Sequence, residues 1–237
     1  MAGNRIGNVP DRGISLNEMS LFFGQDLSNK YIHSKFMAER AVLEAALQGL
    51  DAKIMRVGNL MARSADGESQ VNFNTNSFLG LLKAYSIVGN VPFSILGDDV
   101  EFPSVDHSAK AVLLLSETPL ECIVFHPYNN HTVFFRDILD SMAKSGVCIQ
   151  RHESDVWNRK YSEAIKDPAK AKYLLSLFAY KSRERHQAMS FTESDNTFTV
   201  QTLDRLGFTW QIVSESYLTK FMEAMKGLGF FDANGRN

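Results

Sequence analysis

Tyr31 and Lys35 stand four residues apart in a stretch that reads as one amphipathic helix, residues 29–50 (NKYIHSKFMAERAVLEAALQGL). Side chains at that spacing lie one above the other on a helix face. A phenol beside an ammonium can work as a unit, because the cation favours the phenolate and brings a phenol's pKa towards neutrality. Such a phenol can give its proton to a carbonyl oxygen as hydride reaches the carbon. The pattern therefore points to carbonyl reduction. Taken alone, Y-x-x-x-K is a weak signal, since a surface tyrosine beside a solvated lysine fits it equally well. The surroundings must decide.

The helix that would present the pair carries Phe36, Val42, Leu43 and Leu47, with Ala38, Ala41, Ala45 and Ala46, a set suited to close packing on a sheet. Gly49 ends it. Residues 52–57 (AKIMRV) read as a short buried strand, and Gly58, Asn59 and Leu60 turn out of it. Helix, short turn and buried strand make the αβ half of a βαβ unit. Ligands of such sheets gather at the carboxyl ends of the strands, where Arg56, Gly58 and Asn59 lie. Two of these have a structural alternative. Arg56 can pair with a carboxylate such as Glu39, and Asn59 can be a turn residue.

Residues 1–28 read as an irregular lead-in and 62–76 as a polar loop, in which DGE at 66–68 is a turn rather than a metal site. Helices are predicted over 77–88, 107–116 (capped by Asp106) and 133–145 (capped by Thr132 and closed by Gly146). More helix follows within 155–186, where Pro168 begins a second segment, around 200–206, and over 214–226. Residues 89–103 are extended, and 121–127 (ECIVFHP) and 147–151 are strands. The aromatics Trp157, Tyr161, Tyr173, Phe178 and Tyr180 read as helix-packing core. No stretch carries a G-x-G-x-x-G or G-x-x-G-x-x-G phosphate loop after a strand, and no G-x-S-x-G appears. His126 and His131 flank a turn without partners in metal-ligand spacing, so no metal is expected.

The bulk numbers narrow the class. A chain of 237 residues with 44% hydrophobic and 22% charged residues suits one large or two small globular domains. A net charge of −2 gives no electrostatic case for nucleic acid or an anionic membrane. No apolar run approaches the roughly 20 residues of a membrane span. With a polar N-terminus and no signal peptide, the expected compartment is the cytoplasm. Cys122 and Cys148 are expected to be reduced, buried thiols.

Together these stretches resemble the later part of an extended short-chain dehydrogenase/reductase. They are most similar to the thioester reductase domain that ends some nonribosomal peptide synthetases and carboxylic acid reductases. The resemblance is carried by YIHSKFMAERAVLEAALQGLDAKIMRVGNLMAR, DGESQVNFNTNSFLGLLKAY, FPSVDHSAKAVLLL and FTVQTLDRLGFTW…YLTKFMEAMKGLGFF, in the family's order from Tyr31 to Phe231. It implies an α/β fold, an incomplete Rossmann-like sheet with a mostly helical substrate-binding lobe. Residues 1–65, with strand 121–127 added back, would be the remnant of the cofactor domain, and 66–237 the lobe. It also implies NADPH as hydride donor and, as partner, an acyl or peptidyl carrier protein whose phosphopantetheine arm bears the thioester. Release would be as aldehyde or, after a second hydride, alcohol. Tyr31 would be the general acid and Lys35 the ribose-binding cation, with Gly58, Asn59 and Leu60 beside the nicotinamide.

The family places its dinucleotide loop, most parallel strands and a catalytic Ser or Thr before the point where this sequence begins. The expectation is thus the C-terminal portion of a thioester reductase, inactive alone. An incomplete sheet should expose an apolar edge and self-associate through it. A non-catalytic module that binds an acyl carrier or an acyl-pantetheine arm is the alternative. A sugar-nucleotide epimerase fragment ranks lower, because NFNTNSFLGLLKAY and LGFTW…GLGFF have no role in it.

Overall fold

The computed structural model describes residues 14–70, 76–174 and 192–231. In chain order its elements are β1 (Ile14–Leu16), α1 (Lys30–Leu47), β2 (Ile54–Met55), α2 (Ser77–Val88), β3 (Asn90–Pro92), β4 (Asp99–Val100), α3 (Val105–Ser116), β5 (Val124–Phe125), β6 (Val133–Phe134), α4 (Phe135–Lys144), β7 (Gln150–His152), α5 (Ser154–Ala164), β8 (Thr192–Ser194), α6 (Thr197–Arg205) and α7 (Glu215–Gly227). Helix resumes at Pro168 and runs through 174. This is an α/β chain with a few short parallel strands and a largely helical remainder, as the resemblance implies.

The chain divides into two compact units. The first is Met1–Leu60, Asp106–Asn130 and Arg183–Gln211; the second is Met61–Val105, His131–Ser182 and Ile212–Asn237. The first unit therefore takes in more of the sequence than residues 1–65 and one added strand. Two parallel pairings explain why. Ile54 of β2 stands opposite Val124 of β5, and Ile14 of β1 stands opposite Thr192 of β8. The β1–β8 pairing brings a late segment beside an early one, 178 residues apart by number (192 less 14). Both segments are short and weakly patterned; within the irregular lead-in expected for residues 1–28, Ile14–Leu16 is a strand, 17–28 carry no helix or strand, and 1–13 lie outside the described residues.

The first unit's apolar core is small: Ala111, Leu115, Phe125, Leu203, Phe208 and Trp210. Phe208 and Trp210 meet edge to face at 5.1 Å. The second unit has a larger and more aromatic core. There Phe102 lies 5.1 Å from Phe221, 5.8 Å from Tyr217 and 6.0 Å from Phe78, all edge to face. Such pairs favour the offset geometry that the ring quadrupole prefers. Trp157 stacks on Tyr161 and donates its indole N–H to the Asn90 carbonyl. Its place in this core agrees with the packing role expected for it; Phe178 and Tyr180 lie outside the described residues.

Four local expectations need correction. Asp106 lies within the first turn of α3 and does not cap it; its carboxylate still complements the positive end of the helix. Thr132 bonds Asp99 across the antiparallel β4–β6 pair, and α4 instead starts after Phe134, whose N–H donates to Asp137. Cys148 is exposed and Cys122 half-buried, both free thiols. In α1 only Ile32 is buried, while Ala38, Ala41 and Leu47 are exposed. An 18-residue helix runs about 27 Å. The two-stranded β2–β5 ladder, with strands about 4.8 Å apart, is too narrow to cover it. The turn at 66–68 is as expected: Arg63 forks onto Asp66 and Glu68, and its guanidinium holds the Asp66 carboxyl down to about 2.

Candidate active site

Asn29 fixes where α1 begins. Its side-chain oxygen accepts from the N–H groups of Tyr31 and Ile32 at 3.0 and 3.3 Å. That cap satisfies two of the four free N–H groups of the first turn. Tyr31 and Lys35 then leave the first and second turns on one face. The Lys35 ammonium lies 5.4 Å from the centre of the Tyr31 ring, and Tyr31 is 56% exposed. The spacing on the page of the sequence is thus a contact in the fold. A phenol that is open to approach and shadowed by a cation can meet a carbonyl oxygen without leaving its helix. At the far end Gly49 adopts φ +95° and closes the helix, with the Leu50 N–H on the Ala45 carbonyl and its own on Ala46.

Gly58, Asn59 and Leu60 follow β2 as irregular chain, with Asn59 and Leu60 exposed. Just before them the Ile54 N–H donates to the Ile123 carbonyl, and the Arg56 N–H to the Phe125 carbonyl. The parallel ladder therefore ends at Arg56 and releases the chain into the turn. All five residues singled out in the sequence, Tyr31, Lys35, Gly58, Asn59 and Leu60, belong to the first unit.

Arg56 takes the structural alternative. It is buried, and it forks onto Glu39 through Nε at 2.9 Å and Nη2 at 2.7 Å. Its Nη1 faces His126 Nε2 at 3.0 Å. His126, fully buried just past β5, lies with Nδ1 2.8 Å from the Asp195 carbonyl. The His126 backbone N–H donates to Thr199 Oγ1, and both the hydroxyl and the N–H of Thr199 donate to buried Glu18. Burial penalises the charged imidazole and holds His126 below its ordinary value of 6.5; the Asp195 carbonyl opposes this, the Arg56 charge adds to it, and Glu18 and Glu39 oppose it. Sequence reasoning named the Arg56–Glu39 pair and passed over the rest of this cluster. The one available signal was a histidine directly after an apolar strand run, at the strand end where sites form. Nothing in the order of residues links Glu18 to Thr199.

Among the described residues no group of three or more His, Cys, Asp or Glu side chains could hold a metal ion, and no helix is long and apolar enough to cross a membrane.

Comparison with known proteins bears on the fold. The family model described as Male sterility protein, an NAD-binding domain, matches residues 3–112. A thiolation–reductase di-domain from an archaeal non-ribosomal peptide synthetase superposes on 94% of this chain with a TM-score of 0.80 and 33% identity. In sequence and fold this chain is similar to the reductase domains of the extended short-chain dehydrogenase/reductase group. The terminal R domain of the myxalamid pathway shares the reductase fold, at a TM-score of 0.75 and 21% identity over 96% of the chain. Glycine betaine reductase ATRR of Emericella nidulans is 33% identical over 133 residues, 55% of this chain. This chain spans 45% of the archaeal di-domain, 58% of the myxalamid domain and 10% of the fungal enzyme.

Proposed function

We propose that this chain carries the proton-delivering part of an NADPH-dependent thioester reductase. The observation that supports it best is the Tyr31–Lys35 contact on an open face of α1, 5.4 Å from ammonium to ring. In this reading hydride adds to the carbonyl carbon of an acyl or peptidyl thioester. Tyr31 gives its proton to the oxygen. Loss of the thiol from the hemithioacetal leaves an aldehyde, and a second hydride gives an alcohol. Lys35 orients the nicotinamide ribose and places its charge beside the phenol, while Gly58, Asn59 and Leu60 border the nicotinamide. NADPH supplies the hydride when bound. The similarity to a thiolation–reductase di-domain favours a thioester held on a carrier protein's phosphopantetheine arm, met in the cytoplasm.

The 237 residues contain no Gly-rich phosphate loop. Backbone N–H groups at a helix N-terminus are what usually bind a pyrophosphate. The reading therefore expects this chain by itself to bind NADPH no tighter than about 1 mM, roughly −4 kcal/mol. Calorimetric titration checks this, and micromolar binding contradicts it. The proton-delivering role is tested separately. Titrating an acyl-pantetheine thioester into chain carrying 13C-labelled tyrosine should move the Tyr31 ring signal saturably. A signal that stays still at saturation contradicts it. The β2–β5 ladder has two strands among the described residues, and its outer edges are further proposed as a self-association surface. A light-scattering mass that rises with concentration supports this, and a monomer over a wide range contradicts it.

A further inference from the structure

The cluster around His126 joins six buried or half-buried polar residues of the first unit, Glu18, Glu39, Arg56, His126, Asp195 and Thr199, and proton delivery by Tyr31 makes no use of it. Its placement is informative. Tyr31, Lys35 and Glu39 follow one another at intervals of four along α1, so they form one stripe on the helix. Glu39 is the last of that stripe and is the carboxylate that Arg56 holds in a fork. Arg56 in turn stands two residues before Gly58. One ion pair thus joins the stripe, a single turn beyond Lys35, to the strand end that leads into the turn.

The pair is itself braced. Three N–H groups of Arg56 are committed, two to Glu39 and one to His126. A guanidinium is rigid and planar, so three committed donors fix its orientation in a way an ammonium cannot match. The partners of His126 also fix its proton. Nδ1 faces a carbonyl and must donate; Nε2 faces an N–H and must accept. Only the uncharged ring does both.

Resting on the reading of Tyr31, Lys35 and Gly58 as one site, we propose that Glu39, Arg56 and His126 are positioning residues, which hold the Tyr31–Lys35 stripe in register with the turn at Gly58 and do so only while His126 is uncharged. A proton on Nε2 would set two cations face to face across a 3.0 Å gap in a buried site. The charged groups around the ring are Arg56 at the end of β2, Glu39 on α1, Glu18 reached through Thr199, and Asp195 ahead of α6. The carboxylates favour a charged ring, but burial outweighs them, and His126 titrates below 6.5. The brace therefore loosens as pH falls through the lowered His126 value.

Nuclear magnetic resonance on the 237-residue chain tests this without cofactor or substrate. The Gly58 and Lys35 amides and the Tyr31 ring are followed as the pH is lowered from neutrality until the His126 ring signal has titrated. All three should move with the midpoint of His126. His126→Gln, whose amide can accept from Arg56 and donate to Asp195, should remove the movement. Arg56→Lys should shift the Gly58 and Lys35 signals at every pH, because lysine keeps the charge and loses the fork. A role in stability alone would lower a denaturation midpoint and leave the folded-state signals in place. The proposal is overturned if His126 titrates while the other three signals stay still, or if His126→Gln keeps their movement. Should a variant fail to fold, coincident or independent midpoints in the unaltered chain decide the matter. Because no thioester is present, this outcome is separate from the Tyr31 titration that tests the proton-delivering role.

Discussion

The two units of this chain are stabilised in opposite ways. The second is held by aromatic rings meeting edge to face around Phe102 and Phe221. The first has a core cluster of six buried apolar residues among those described and, beside them, a largely buried run of charge and hydrogen bonds from Glu39 through Arg56 and His126 to Thr199 and Glu18. Burying ions costs desolvation energy that an apolar core avoids. Cost of that kind, met at the ends of two parallel strands, marks where the fold is committed to position rather than to stability alone. The chain has two tryptophans, Trp157 in the second core and Trp210 in the first, so the contrast can be read unit by unit from fluorescence.

The largest effect should fall in the aromatic core. Phe221→Ala removes a fully buried ring and should cost about 3–5 kcal/mol, seen as an early denaturant transition at Trp157. Arg56→Met leaves Glu39 and His126 without their partner and should cost a similar or slightly smaller ~3–5 kcal/mol, read at Trp210. The comparison sharpens with the double variant Glu39→Leu/Arg56→Met. It should recover most of that loss, because an apolar pair suffers no unpaired charge. If the double variant is as weak as the single, the cluster stabilises more than it positions.

Smaller effects test local geometry. At Gly67, φ is +75° and an added Cβ would lie 2.4 Å from the Lys220 carbonyl oxygen. Gly67→Ala should therefore cost about 1–3 kcal/mol in the second unit. Asn29→Ala removes the cap of α1 and should cost about 1 kcal/mol at Trp210. The smallest effect is the response to acid. The unfolded His126 takes a proton near 6.5 and the folded one only lower, so below 6.5 the unfolded chain binds more protons and stability falls. The Trp210 midpoint should drop through that window and level off below the folded value, and His126→Gln should flatten the curve.

Much of this was legible in the sequence because it depends on neighbours a few residues apart. The Tyr31–Lys35 face, the start and end of α1, the helix at 77–88 and the turn at 66–68 follow from i to i+4 spacing, caps and turn residues. Even the Glu39 pairing of Arg56 follows once helix and strand are adjacent. The β1–β8 ladder, the Thr199–Glu18 bonds and the brace at His126 were not legible. Each joins segments far apart in the chain, and two- or three-residue strands leave too little pattern to announce a pairing.

The central claim is that Tyr31, shadowed by Lys35, meets the carbonyl of a thioester. The most direct test is the Tyr31 ring signal of 13C-labelled chain during titration with an acyl-pantetheine thioester. A saturable shift at Tyr31, altered by Lys35→Met, is the predicted result. Saturation seen elsewhere in the chain while Tyr31 stays unmoved would contradict it.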